Sequence, residues 1–84
     1  MEYQIRITKQ AYTDIQSLTD KLKKKLKDIL LEVIAVNPYE GKKLLGDLKN
    51  NYSLMLNLKD RIIYSVDEKK KIVYIKRART HYGK

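Results

Sequence analysis

Two stretches near the C-terminus decide the fold: Arg61-Ile62-Ile63-Tyr64-Ser65-Val66 and Lys71-Ile72-Val73-Tyr74-Ile75-Lys76-Arg77-Ala78. Ile62, Tyr64 and Val66 alternate with Arg61, Ile63 and Ser65, the period of a half-buried strand. Asp67-Glu68-Lys69-Lys70 separates the two stretches and reads as a turn. A buried arginine is expensive, so Arg61 is predicted on the sheet face that carries no helices. The second strand runs into Arg79-Thr80-His81-Tyr82, which holds the only histidine of the chain.

Upstream, Tyr3 to Ile7 also alternates and predicts a strand, with Thr8 as a helix cap. From Ala11 the period changes: Ala11, Ile15, Leu18, Leu22, Leu26, Ile29, Leu30 and Val33 follow helical spacing. The cap-like cluster Ser17 to Asp20 splits this run into a hairpin of two helices, about residues 8–18 and 20–36. Lys21, Lys23, Lys24, Lys25 and Lys27 fall mostly on the solvent face of the second helix. Asn37-Pro38 stops that helix, Tyr39-Glu40-Gly41 turns, and residues 42–51 read as a loop. Tyr52 to Leu58 alternates again, with Leu54, Leu56 and Leu58 expected on the inner face. Lys-Asp suits a tight two-residue turn poorly. A longer loop at Lys59-Asp60, pairing Leu56 with Ile62, keeps the leucines inside. Tyr64 and Tyr74 read as sheet packing, Tyr12 and Tyr39 as packing or surface.

The predicted class is therefore α+β. An N-terminal strand and a two-helix hairpin precede a three-stranded antiparallel meander, giving a four-stranded sheet with helices on one face.

The 84 residues predict one domain, 1–84. There is no cysteine, which excludes disulfides and Cys-based zinc sites. One histidine and scattered carboxylates argue against a metal, and three scattered glycines cannot build a phosphate loop; no cofactor is expected. No apolar run approaches the ~20 residues that span a bilayer, and nothing resembles a signal peptide. The default compartment is the cytoplasm. The formal net charge of +9 fits a polyanionic partner, either nucleic acid or an acidic protein. It also fits a plain solubility surface.

Arg61, Arg77, Arg79, His81 and Tyr82 remain as residues able to carry chemistry, with Lys43, Lys49 and Lys59 near them in sequence. Metal-free RNA cleavage needs a base for the ribose 2′-hydroxyl, an acid for the leaving 5′-oxygen, and cations for the transition state. Histidine can serve as either proton carrier near neutrality. Arginine binds phosphate oxygens in a two-pronged way, and tyrosine can stack on a base. Each residue also has a structural reading. Arg61 fits an outer-face solubilising charge, and a histidine near a chain end is commonly a surface residue.

The chain resembles the RelE/ParE superfamily of toxins from type II toxin–antitoxin pairs, and within it the Txe/YoeB branch. The resemblance covers nearly the whole chain. It is carried by Asn37-Pro38-Tyr39-Glu40-Gly41-Lys42, Lys43-Leu44-Leu45-Gly46, Asp60-Arg61-Ile62-Ile63-Tyr64-Ser65-Val66 and Ala78-Arg79-Thr80-His81-Tyr82. The terminal His-Tyr points to the YoeB-like branch.

The resemblance implies a metal-independent endoribonuclease that cuts mRNA in the ribosome by 2′-hydroxyl attack on the adjacent phosphate. It also implies an acidic antitoxin bound in a hetero-oligomeric complex. Arg61 matches the arginine on the scissile phosphate, His81 the acid/base candidate, Tyr82 its partner, and Arg79 the arginine before that pair. Arg77, Lys43, Lys49 and Lys59 are candidates for RNA contact. The branch carries a catalytic glutamate where this chain reads Gly46-Asp47-Leu48-Lys49, which makes Asp47 the candidate base. The second-strand positions that hold lysines in RelE-type members hold Ser53 and Met55. Gly83-Lys84 extends past the tyrosine. The alternatives are a ParE-like gyrase poison and a non-catalytic basic RNA-binding module.

Overall fold

The structure, a computed structural model, describes residues 2–44 and 51–78. Strand β1, Gln4–Ile7, ends where Thr8 caps helix α1, Lys9–Gln16. The Thr8 hydroxyl accepts from the Ala11 N–H at 3.2 Å and donates to the Ile75 carbonyl at 2.8 Å. One side chain thus starts the helix and ties it to the sheet. Ser17 closes α1, its hydroxyl donating to the Asp14 carbonyl at 2.7 Å. Thr19 then caps α2, Asp20–Ile29, with Asp20 in the first turn and Lys27 in the last, as the helix dipole favours.

The last helical stretch is not regular. Leu30–Ile34 forms a π-helical turn, with the Ala35 N–H donating to the Leu30 carbonyl at 2.9 Å. The wider turn leaves Leu30, Ile34 and Ala35 all buried. Asn37 ends it, its side-chain oxygen accepting from the Tyr39 N–H at 3.2 Å, and Pro38–Glu40 makes one 3₁₀ turn.

The sheet has five strands in the order β1-β5-β4-β3-β2. Beyond β1 they are β2 Lys42–Lys43, β3 Asn51–Met55, β4 Arg61–Asp67 and β5 Ile72–Arg77. β1 runs parallel to β5, and the other pairings are antiparallel. The fifth strand corrects the four-strand expectation. Lys42 and Lys43 pair with Ser53 and Tyr52, but two residues are too few to show a period.

The β3–β4 hairpin also differs in detail. Leu54, not Leu56, pairs with Ile62, and Met55 pairs with Arg61. The loop closes through the Leu56 N–H on the Asp60 carbonyl at 2.9 Å. Asn57 organises it, accepting from the Lys59 and Asp60 N–H groups at 2.8 and 2.6 Å. This side-chain turn ends β3 at Met55 and throws Leu58 into solvent, 94% exposed. Leu58 is therefore not an inner-face residue. The two-residue slip preserves parity. Leu54 still packs on the core, and Arg61 still lies on the opposite face.

The core lies between the helices and one sheet face, built from Leu18, Leu26, Leu30 and Ile34 against Leu56, Ile62, Tyr64, Val73 and Ile75. Full burial of each such side chain contributes about 1.5–3 kcal/mol. Tyr64 is fully buried, and its hydroxyl donates to the Pro38 carbonyl at 2.6 Å. Gly41 belongs to the same contact. A Cβ there would run into the Tyr64 hydroxyl and lie 3.0 Å from the Ser53 carbonyl oxygen.

A row of tyrosines continues outward from Tyr64. Tyr64 stacks on Tyr52 (ring centroids 5.7 Å apart), and Tyr52, Tyr39 and Tyr3 meet edge to face at 5.5 and 6.5 Å. Glu68 closes the row, accepting from the Tyr3 and Tyr39 hydroxyls at 2.7 and 2.5 Å and pairing with Lys71. Lys71 occupies the left-handed region, φ 57°, in the β4–β5 turn. Its ammonium sits 5.1 Å from the Tyr3 ring centre, a cation–π distance. The Lys71 and tyrosine hydrogen bonds hold the Glu68 carboxyl down at about 2, and Glu68 in turn raises the Tyr39 hydroxyl and the Lys71 ammonium. Burial pushes Tyr64 up to about 12.

Candidate functional site

Strand alternation sorts the candidate residues by face. On β4, Ile62 and Tyr64 are buried against the helices, so Arg61, Ile63 and Ser65 point the other way. Arg61 sits at the first position of the strand, exposed, beside the exposed Met55. The next row crosses the sheet as Lys42, Ser53, Ile63 and Arg77 on four adjacent strands. Same-face rows are about 7 Å apart along a strand, and neighbouring strands about 5 Å apart. Lys42 and Arg61 therefore flank Ser53 and Ile63, both of which are buried. This face offers cations around a solid floor. That arrangement suits the backbone of an extended polyanion better than a small molecule in a deep pocket.

Lys59 is exposed on the β3–β4 loop next to Arg61, and Lys43 is exposed on edge strand β2. Asp47, Lys49, Arg79, His81 and Tyr82 lie outside the described residues. Of the expected set, the structure thus brings Arg61 and Lys59 together at one end of the sheet. It adds Lys42, which sequence reasoning missed because residues 42–51 read as a loop.

Arg77 has a partner that sequence reasoning did not find. Its guanidinium grips the Asp14 carboxylate with two hydrogen bonds, Nε to Oδ2 at 2.7 Å and Nη2 to Oδ1 at 3.1 Å. The Ala78 N–H donates to the same Oδ2 at 3.1 Å. Asp14 is 8% exposed and Ala78 fully buried. In the sequence Asp14 is one polar residue on an amphipathic helix, 63 positions from Arg77, and no local pattern joins them.

The β5 backbone prepares this contact. Tyr64 pairs with Ile75 but Ile63 with Arg77, which leaves Lys76 as an extra residue. Such a bulge re-aims the residues that follow it, here the two that meet Asp14.

No family model matches the chain, and no curated protein matches it. Solved structures do. A chain of the toxin–antitoxin complex RelBE2 from Mycobacterium tuberculosis superposes with a TM-score of 0.87 at 23% identity, covering 96% of this chain and 99% of that one. A variant of the toxin RelE from Escherichia coli gives 0.79 at 21% identity, over 95% and 84%. A chain of the YoeB–YefM complex from Staphylococcus aureus gives 0.78 at 27% identity, over 98% and 100%.

The fold is that of the RelE/ParE superfamily of toxin–antitoxin toxins. Within it, the likeness extends over the full length of a YoeB–YefM chain and supports the YoeB-like branch.

Proposed function

We propose that this chain is the toxin of a type II toxin–antitoxin pair and acts as a metal-independent endoribonuclease on mRNA in the ribosome. The observation that carries the reading is Arg61, exposed on the helix-free sheet face, with Lys59 two residues before it in the β3–β4 loop and Lys42 two strands away on the same face, in a fold shared with RelE and YoeB toxins. In this reading Arg61 holds the scissile phosphate and offsets the charge that grows on it as the 2′-hydroxyl attacks. His81 moves a proton to or from the reacting oxygens, Tyr82 packs on a base or donates to phosphate, and Asp47 is the candidate base. Arg79, Lys43, Lys49 and Lys59 hold the RNA. Arg77, bound to Asp14 and still partly exposed, is a further candidate for RNA contact.

The +9 charge fits both a ribosomal site of action and an acidic antitoxin in a hetero-oligomeric complex; the similar YoeB chain from Staphylococcus aureus is itself in a complex with YefM. Residues 1–84 make one toxin domain, acting in the cytoplasm where ribosomes are. Induction of the protein in cells, followed by mapping of mRNA 5′ ends, tests the proposal. Cuts in phase with codons and confined to translated regions support it. DNA damage signalling without such cuts would identify a gyrase poison instead.

A further inference from the structure

We propose that Arg6, Lys70 and Tyr74 form a second subsite for single-stranded RNA, on the helix-free face and apart from Arg61. Its use in catalysis rests on the nuclease reading above, while the binding itself does not. Tyr74 reads from the sequence as sheet packing, but its neighbours Val73 and Ile75 are the ones fully buried against the helices. Alternation therefore turns Tyr74 away from the core. It pairs with Ser65 on one side and with Arg6 on the other. Arg6 thus shares its face, exposed on β1 at the edge of the sheet. Lys70 comes to the same place from the β4–β5 turn. An open depression of about 470 Å³ is lined there by Arg6, Ile7, Thr8, Lys70, Ile72 and Tyr74.

These three side chains are uncommitted. The hydroxyls of Tyr3, Tyr39 and Tyr64 are all hydrogen-bonded, and Lys71 is paired with Glu68. Among the described residues, no hydrogen bond, ion pair or ring contact holds the side chain of Arg6, Lys70 or Tyr74. The nearby Asp67 carboxylate is occupied by the Lys70 N–H, which donates to it at 3.1 Å. A half-buried tyrosine between two unpaired cations does little for stability, but each part matches part of a nucleotide. The ring offers a stacking surface that tolerates any base. The guanidinium forks onto phosphate oxygens, and the ammonium adds a point charge. An acidic peptide would meet the same cations but makes no demand for an aromatic ring between them. The subsite also continues the first. Tyr74 lies two same-face positions along and one strand across from Arg61, over a floor of Ile63 and Ser65, a distance of ~15 Å. A single strand of RNA held on Arg61 reaches it within a few nucleotides.

The test measures binding of a fluorescein-labelled single-stranded RNA by anisotropy. Its 2′-O-methyl groups prevent cleavage by 2′-hydroxyl attack. Wild type is compared with Tyr74→Leu, Tyr74→Phe, Arg6→Gln and Lys24→Gln, each first shown to be folded by thermal melting. Tyr74→Leu keeps an apolar side chain without the ring. It should weaken binding roughly fivefold to a hundredfold, the range of base–aromatic stacking, whereas Tyr74→Phe should stay within about twofold. Arg6→Gln should weaken binding and reduce the slope of log affinity against log salt by ~0.7, as loss of one phosphate contact does. Lys24→Gln removes the same charge from the exposed side of α2 and should do neither. Folded Tyr74→Leu and Arg6→Gln proteins that bind as wild type does would overturn the proposal, as would equal losses in Arg6→Gln and Lys24→Gln. Unchanged RNA binding with weakened binding of polyglutamate would overturn it in favour of an acidic protein partner. A wild type that binds RNA through Tyr74 but leaves translated mRNA uncut would support the subsite and remove the nuclease reading. A wild type that cuts, beside a Tyr74→Leu protein that binds and cuts equally, would overturn the subsite and keep the nuclease.

Discussion

Replacing Tyr64 with phenylalanine removes one oxygen atom from the centre of the molecule. That oxygen donates at 2.6 Å to the Pro38 carbonyl, and both Tyr64 and Pro38 are fully buried. The ring keeps its packing against Tyr52, so the transfer term is small. What remains is a carbonyl left without this donor where water cannot replace it, at a cost of about 1–3 kcal/mol. For a domain of this size that corresponds to a fall in Tm of roughly 4–24 °C. Urea unfolding followed by circular dichroism at pH 7 measures it directly. Tyr12→Phe is the control, because Tyr12 is 58% exposed and its loss should change stability by less than about 0.5 kcal/mol. The alkaline limb gives a second reading. Burial raises Tyr64 from 10.0 to about 12, so the unfolded chain ionises first and stability falls as pH rises from 10 towards 12. Tyr64→Phe should make that fall shallower. A variant as stable as wild type at pH 7, with an unchanged alkaline limb, would refute the reasoning.

Other consequences can be checked alongside. Glu68 is held down at about 2 against an ordinary 4.5. Its contribution is therefore complete above about pH 4.5 and lost as pH falls towards 2, and the Tm gap between wild type and Glu68→Gln should close over that window; a gap constant with pH would contradict it. Gly41→Ala places a methyl group against the Tyr64 hydroxyl and the Ser53 carbonyl. It should destabilise by about 1–3 kcal/mol, read from the shift in the urea midpoint, and a neutral result would mean that the Pro38–Glu40 turn yields easily. Association with an acidic antitoxin should slow markedly between low and high salt, since the +9 charge steers anions over a Debye length that shrinks from ~30 Å at 0.01 M to ~8 Å at 0.15 M. Stopped-flow rates that ignore salt would remove the charge argument.

The large features of the fold were legible because they repeat. Period two in Arg61 to Val66 and period 3.6 from Ala11 to Val33 each place many residues at once. The cost of burying a guanidinium was enough to put Arg61 on the helix-free face. Thr8 and Thr19 announced their helices by chemistry that acts over three residues. The missed features have no such redundancy. Edge strand Lys42–Lys43 is two residues long, and the fate of Leu58 turned on a single side chain, Asn57, that ends β3 early. The π-helical turn at Leu30–Ile34 keeps the same apolar spacing as a regular helix. The contact between Asp14 and Arg77 joins distant parts of the chain that become neighbours only once α1 lies against β5. Arg61 and its face could be read from the sequence, whereas Lys42 and the contact of Asp14 with Arg77 and Ala78 needed the sheet.

The most direct test of the nuclease account is the 5′-end map of cellular mRNA after induction of wild type beside Arg61→Ala. Arg61 is exposed, so its truncation should leave the fold intact, and loss of one preorganised contact at the transition state costs roughly a hundredfold in rate or more. The account predicts codon-phased cuts within translated regions for wild type and their disappearance for a folded Arg61→Ala protein. Equal cutting by both, or growth arrest by wild type with uncut mRNA, would contradict it.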